Sequence, residues 1–226
     1  MRQRFCVSWG NWRSAHGLGC YFSHMTTSEI ASFYDDGSNA GLLIRHCSEG
    51  LIQTTLAFKG AGGPIIHLFQ ETRFDTDIRD WSAYTYVDHL ENSVLEVRSE
   101  ALPPRPDLPE KPIPSYAAHL VLKDFLATAD RRRKFSQFNE SDPLMISAAA
   151  FVRHGPENVE TPWGSLEALK VALEIDGREG NTFWCVDGSV VKSDWQGATS
   201  YTTKDVDSVM EGLDADVQTL LRAALA

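Results

Sequence analysis

Between residues 161 and 203 apolar and polar residues alternate in short runs cut by turn dipeptides, and a chain written this way has few ways to fold. In residues 167–176, Leu169, Val171, Leu173 and Ile175 alternate with Lys170, Ala172 and Glu174, the period of a strand with one buried face. Asp176-Gly177 ends that run. Residues 182–187, 190–195 and 198–203 follow as further strands, separated by Asp187-Gly188 and Gln196-Gly197. Loops this short force sequential strands to pair antiparallel, so the spacing predicts a meander.

The first hundred residues are also strand-rich. Residues 4–9, 19–24, 30–34, 42–47, 52–58, 65–74, 82–87 and 93–98 are short, aromatic or β-branched, and punctuated by Asp36-Gly37, Glu49-Gly50 and the 60–64 segment. Strands at this spacing suit a sandwich, barrel or half-barrel and argue against alternating βα units. The 103–114 segment holds six of the ten prolines and is expected to be an extended surface connection, unable to pair in a sheet or form a helix. Neither side of it has an obviously complete core, so residues 1–226 are expected to form a single β-rich domain.

After the prolines, Ser115 is placed to cap a helix running to about Lys134. Its apolar face is Val121/Phe125 and Leu122/Leu126/Ala129, with the basic 131–134 run at the negative end of the dipole. Residues 144–152 resume as a strand. From Lys204 onward Val206, Val209, Met210, Leu213, Val217, Leu220, Leu221 and Leu225 recur at helical spacing, divided into two short helices near Gly212 and Asp214.

Hydrophobic residues at 42% and charged residues at 23% describe a globular chain rather than a disordered one. A formal net charge of −10 argues against nucleic-acid phosphates and anionic membrane surfaces as partners. No apolar run approaches the roughly 20 residues of a membrane span, and residues 1–15 lack the apolar core of a signal peptide. Cys6, Cys20, Cys47 and Cys185 show no CxxC spacing, so they read as reduced, buried thiols and the expected location is cytoplasmic.

Cofactor and metal signatures are missing. Gly60-Ala61-Gly62-Gly63-Pro64 lacks the Lys-Ser/Thr ending of a phosphate loop and reads as a strand-to-strand turn. The seven histidines, His16, His24, His46, His67, His89, His119 and His154, form no HxH, HxxxH or HExxH pattern. Neither a GxSxG elbow nor a dinucleotide-binding glycine fingerprint is present. The expectation is therefore no metal and no cofactor.

The most suggestive constellation is the 67–73 strand. Alternation puts His67, Phe69, Glu71 and Arg73 on one face, a mixture unusual for a packed core. In a pocket, Glu71 would act as acid or base and Arg73 would set its ionisation or bind a carboxylate. On a solvated face they would be an ordinary ion pair worth little. Tyr84 and Tyr86 share one face of the next strand, and Trp184 and Trp195 add aromatic surface that suits either a core or a cavity.

The run Thr161-Pro162-Trp163-Gly164-Ser165-Leu166-Glu167-Ala168, with Thr182-Phe183-Trp184-Cys185-Val186-Asp187 and Val190-Val191-Lys192, resembles the closing strands of the lipoprotein-localisation half-barrel superfamily. The resemblance covers about forty residues. It implies a strongly curved antiparallel sheet whose helix-covered concave side holds an apolar guest. Members include periplasmic lipid carriers and a violacein-pathway enzyme that reshapes an indole dimer without a cofactor. The carriers' leader and lipobox cysteine have no counterpart here, and no catalytic residue of the enzyme is carried over.

The expected architecture is thus mainly β: a curved antiparallel half-barrel or open barrel with one central helix and a helical C-terminal tail. The expected function is a cofactor-independent biosynthetic enzyme (a cyclase, isomerase, or dehydratase of the lyase class) acting on an apolar or aromatic small molecule. Its candidate catalytic residues are Glu71, Arg73, His67 and Tyr84, and its candidate substrate-binding residues are Phe69, Tyr86, Trp184 and Trp195. The alternatives are a non-catalytic protein that binds lipid or another hydrophobic molecule and a partner-binding scaffold. The oligomeric state is left open.

Overall fold

The computed structural model describes residues 27–103, 108 and 110–225. The expected strands at 4–9 and 19–24, Cys6, Cys20, His16, His24 and part of the proline tract lie outside these residues.

Thirteen strands form one sheet among the described residues. They are β1 (Thr27–Asp35), β2 (Ser38–Ser48), β3 (Leu51–Phe58), β4 (Ile66–Phe74), β5 (Trp81–Asp88), β6 (Ser93–Arg98), β7 (Ile113–Pro114), β8 (Arg132–Asn139), β9 (Asp142–Thr161), β10 (Gly164–Ile175), β11 (Arg178–Val186), β12 (Ser189–Asp194) and β13 (Thr199–Thr202). The spatial order is β6-β5-β4-β3-β2-β1-β13-β12-β11-β10-β9-β8-β7. Two hairpin meanders, β1–β6 and β8–β13, are therefore joined at one seam where β1 pairs antiparallel with β13, from Ala31 opposite Thr202 to Tyr34 opposite Thr199. The sheet is curved and open, and the predicted C-terminal meander is present.

The connecting turns follow the sequence. Asp36, Asp176 and Asp187 adopt positive φ and each precedes a positive-φ glycine, the two-residue hairpin geometry that favours Asp-Gly. The 60–64 segment is the β3–β4 turn, closed by a hydrogen bond from the Gly63 N–H to the Gly60 carbonyl at 3.1 Å.

Among the described residues one α-helix, α1 (Ala118–Leu126), lies on the concave face. Its Leu122 and Phe125 are fully buried against Trp81 and Tyr84 of one meander and Phe138, Phe151 and Val171 of the other. Because the edges curl toward each other over α1, Trp81 and Tyr84 on β5 touch Phe138 on β8, with ring centroids 5.5 and 5.4 Å apart. The Trp81 indole N–H also donates to the Pro112 carbonyl at 2.8 Å, fastening the connection that leads into β7.

Two helical expectations need correction. The central helix ends at Leu126, not near Lys134, and residues 132–134 open β8. The end is set from a distance: one Arg153 guanidinium nitrogen donates to the Phe125 and Thr128 carbonyls, each at 2.7 Å, satisfying the helix C-terminus from β9. Ser115 does not cap the helix, whose N-cap is Ala117; its hydroxyl donates to Glu140 at 2.8 Å instead. The proline tract is not excluded from the sheet either. Ile113–Pro114 pairs parallel with β8 at the sheet's edge, where a proline's missing N–H leaves no ladder bond unmade.

The tail forms α2 (Val206–Glu211) and α3 (Ala215–Leu225), divided at Gly212 to Asp214 as the sequence predicts. They cover the convex face of the first meander, where Met210, Leu213, Val217 and Leu221 bury Leu42, Ile44 and Ala57.

Candidate functional site

Strand alternation decides which residues meet α1. On β2, Leu42 and Ile44 face the tail helices, so Arg45 and Cys47 face the concave side; on β1, Glu29 stands directly across from Arg45. On the other meander, Leu173, Ile175 and Phe183 point inward, and Trp195 follows β12. Between these walls and α1 lies a cavity of about 390 Å³.

Its lining is divided. Leu122, Phe151, Leu173, Ile175, Phe183 and Trp195 make an apolar wall, while Arg45, Tyr116, His119, Gln137, Asn139 and Glu140 make a polar one. A concave apolar site with a few convergent polar groups is the usual form of a small-molecule pocket.

The polar wall is built on a buried charge cluster. Glu29 Oε2 lies 2.6 Å from His119 Nε2, and its other oxygen contacts the Lys123 ammonium. The imidazole is turned so that this short approach is off the line of a good hydrogen bond, leaving the buried Nε2 formally unpartnered. Burial, reinforced by Arg45 and opposed by Glu29, lowers the His119 pKa to about 4, so the ring is neutral at neutral pH. For Glu29 burial works toward a higher pKa, but His119 and Lys123 outweigh it and hold the carboxyl well below its ordinary range.

Arg45 is the poorly satisfied member. It is 8% exposed, its carboxylate partner among the described residues is Glu29 at 3.8 Å, and its Nε has no hydrogen-bond partner. Burial lowers its pKa, against the pull of Glu29, Cys47 and Tyr116. The buried Gln137 Oε1 likewise lacks a donor. Polar groups buried without partners are costly in a protein interior, and three of them, on Arg45, His119 and Gln137, belong to residues lining one cavity.

Of the residues predicted from sequence, Trp195 lines this cavity. Tyr84 and Tyr86 are concave but packed in the core. The Tyr84 hydroxyl donates to the Glu140 carbonyl at 3.0 Å, and burial raises its pKa strongly. Burial and then Asp88 push Tyr86 up to about 12. His67, Phe69, Glu71 and Arg73 lie on the convex face, because the opposite set Leu68, Gln70, Thr72 and Phe74 faces inward. There Glu71 pairs with Arg73 at 2.7 Å and accepts from Gln53 at 2.8 Å, and His67 stacks on His89 at 4.1 Å. Trp184 is convex too, with its indole N–H donating to Glu157 at 2.6 Å and Lys192 over its ring. The four candidate catalytic residues are therefore not brought together.

Sequence reasoning missed Arg45, Glu29 and Lys123 and noted His119 only in passing. An arginine directly after Leu42, Leu43 and Ile44 in β2, and a His-Lys pair four apart on an amphipathic helix, were the available signals. Among the described residues no group of three His, Cys, Asp or Glu side chains is placed to hold a metal ion, and no helix is long and apolar enough to cross a membrane. No protein-family model matches the chain, and no curated protein is significantly similar to it in sequence.

Proposed function

We propose that the concave cavity is the functional site and that it holds an apolar or aromatic small molecule with one polar end. The observation that carries this is the division of the 390 Å³ cavity into an aromatic-aliphatic wall and a wall of buried, incompletely bonded polar groups. Native mass spectrometry of the protein purified from its host should show a mass excess that organic solvent removes. Ser147, half-buried on the cavity wall, offers a control: Ser147→Trp fills the space from β9 and should abolish the excess while leaving the far-UV spectrum unchanged. Retention of the guest by Ser147→Trp would place it elsewhere.

One observation favours chemistry over storage. His119, on the cavity wall, is neutral and has an anionic Glu29 behind it, an arrangement suited to moving a proton without a cofactor. On this second reading the acid/base role falls to His119 rather than Glu71, and the protein is a non-redox isomerase, cyclase or lyase. Incubating the extracted guest with protein should then yield a product with wild type but not with His119→Asn, whereas a pure binding protein would return the guest unchanged in both cases.

A further inference from the structure

Arg45 is an incompletely satisfied cation on the cavity wall. A guanidinium presents a planar fork of donors that matches a carboxylate in two parallel hydrogen bonds. Here the fork is buried, faces the cavity, has Glu29 no nearer than 3.8 Å and leaves Nε without a partner. Glu29 is engaged elsewhere, 2.6 Å from His119 and in contact with Lys123. Among the described residues, Arg45 and Lys123 against one Glu29, beside a neutral His119, leave one positive charge in excess at this end of the cavity. The carboxylate that does line the cavity, Glu140, accepts the Ser115 hydroxyl at 2.8 Å and is not among the charges acting on Arg45.

We infer that the guest is a monocarboxylate, with its carboxylate received by Arg45 and its apolar body lying against Phe151, Leu173, Phe183 and Trp195. This rests on the cavity being the binding site and adds the chemical class of what it takes. Lys123 and Glu29 hold the Arg45 end electrostatically balanced when the site is filled. A neutral lipid or hydrocarbon would leave the Arg45 guanidinium with only its long contact to Glu29.

The test compares 2-naphthoate with 2-naphthamide, which share a ring system and differ in charge, by isothermal titration against the full chain at pH 7. The acid should bind at least about tenfold more tightly, the ordinary advantage of a charge-assisted hydrogen bond. Arg45→Met should remove that preference by weakening the acid far more than the amide, and Arg45→Lys should keep part of it because the charge survives without the fork. Equal binding of acid and amide to wild type would overturn the carboxylate assignment and leave the cavity reading standing. Failure of both probes to bind would overturn both. If Arg45→Met does not fold, the wild-type comparison still decides, and competition of the acid with Ser147→Trp in place of wild type shows whether the binding is in the cavity at all.

Discussion

His119 makes the fold sensitive to acid. An ordinary imidazole titrates near 6.5, and here burial brings it to about 4, so between those values the unfolded chain binds a proton that the folded chain refuses. Stability contributed by keeping this ring neutral is complete above about pH 6.5 and is lost as pH falls toward 4. Glu29, with its pKa depressed, acts in the same sense at still lower pH, when its carboxylate is finally protonated. We expect the melting temperature to fall on acidification from pH 7 to 5 and to fall less in His119→Asn, where no imidazole remains to be protonated. Scanning calorimetry across that range checks it, and parallel curves for the two proteins would remove His119 as the cause. The residues of this cluster were poorly legible beforehand for a physical reason. Glu29, Arg45 and His119 come from two strands and a helix, and only the register of β1 against β2 together with the seat of α1 brings their charges together.

Elements were far more legible than sites, because a strand's period and its turn residues are local properties. The β6 strand and the two-helix tail fall where the alternation and the helical spacing place them, and the meander from β10 to β13 follows from its Asp-Gly and Gln-Gly turns. The central helix was overextended because the basic run after Thr128 also suits a helix end; what stops α1 is Arg153, a residue 27 positions beyond Leu126. Close approach between elements can be just as specific. A side chain on Gly41 of β2 would meet the Ala57 carbonyl at 2.2 Å and the Phe58 Cα at 2.6 Å, both backbone atoms of β3 that cannot swing aside. Gly41→Ala should therefore cost about 1–3 kcal/mol or more through forced displacement of the β2–β3 pairing, measured by urea denaturation. An unchanged midpoint would mean that the two strands have slack the register does not suggest.

At the scale of the whole molecule, the sheet is two local meanders held at one seam and packed on both faces. The tail helices bury Met210, Leu213, Val217 and Leu221 on the convex side, each worth roughly 1.5–3 kcal/mol when fully withdrawn from water. Their combined contribution rivals the roughly 5–15 kcal/mol by which a domain is stable. A chain ending at Lys204 should consequently fail to give a cooperative melt and should bind hydrophobic dyes; a sharp transition from it would show that the convex core is dispensable. The cavity spans the same two halves, Arg45 from the first and Phe183 and Trp195 from the second, so a bound guest should slow hydrogen exchange of the β13 amides.

The seam also has a history during synthesis. Ser32 and the Tyr201 carbonyl that its hydroxyl reaches are 169 residues apart, so β1 emerges from the ribosome long before its partner exists. At ordinary elongation rates that interval is about 10–30 s. Throughout it, among the described residues, the first meander has hairpin partners for β2 to β5 but none on the outer side of β1, and Leu42 and Ile44 wait for helices made later still. Exposed strand borders of this kind template pairing between nascent chains. Yield of this protein should thus be limited by the speed and crowding of its translation as much as by the stability of the finished fold.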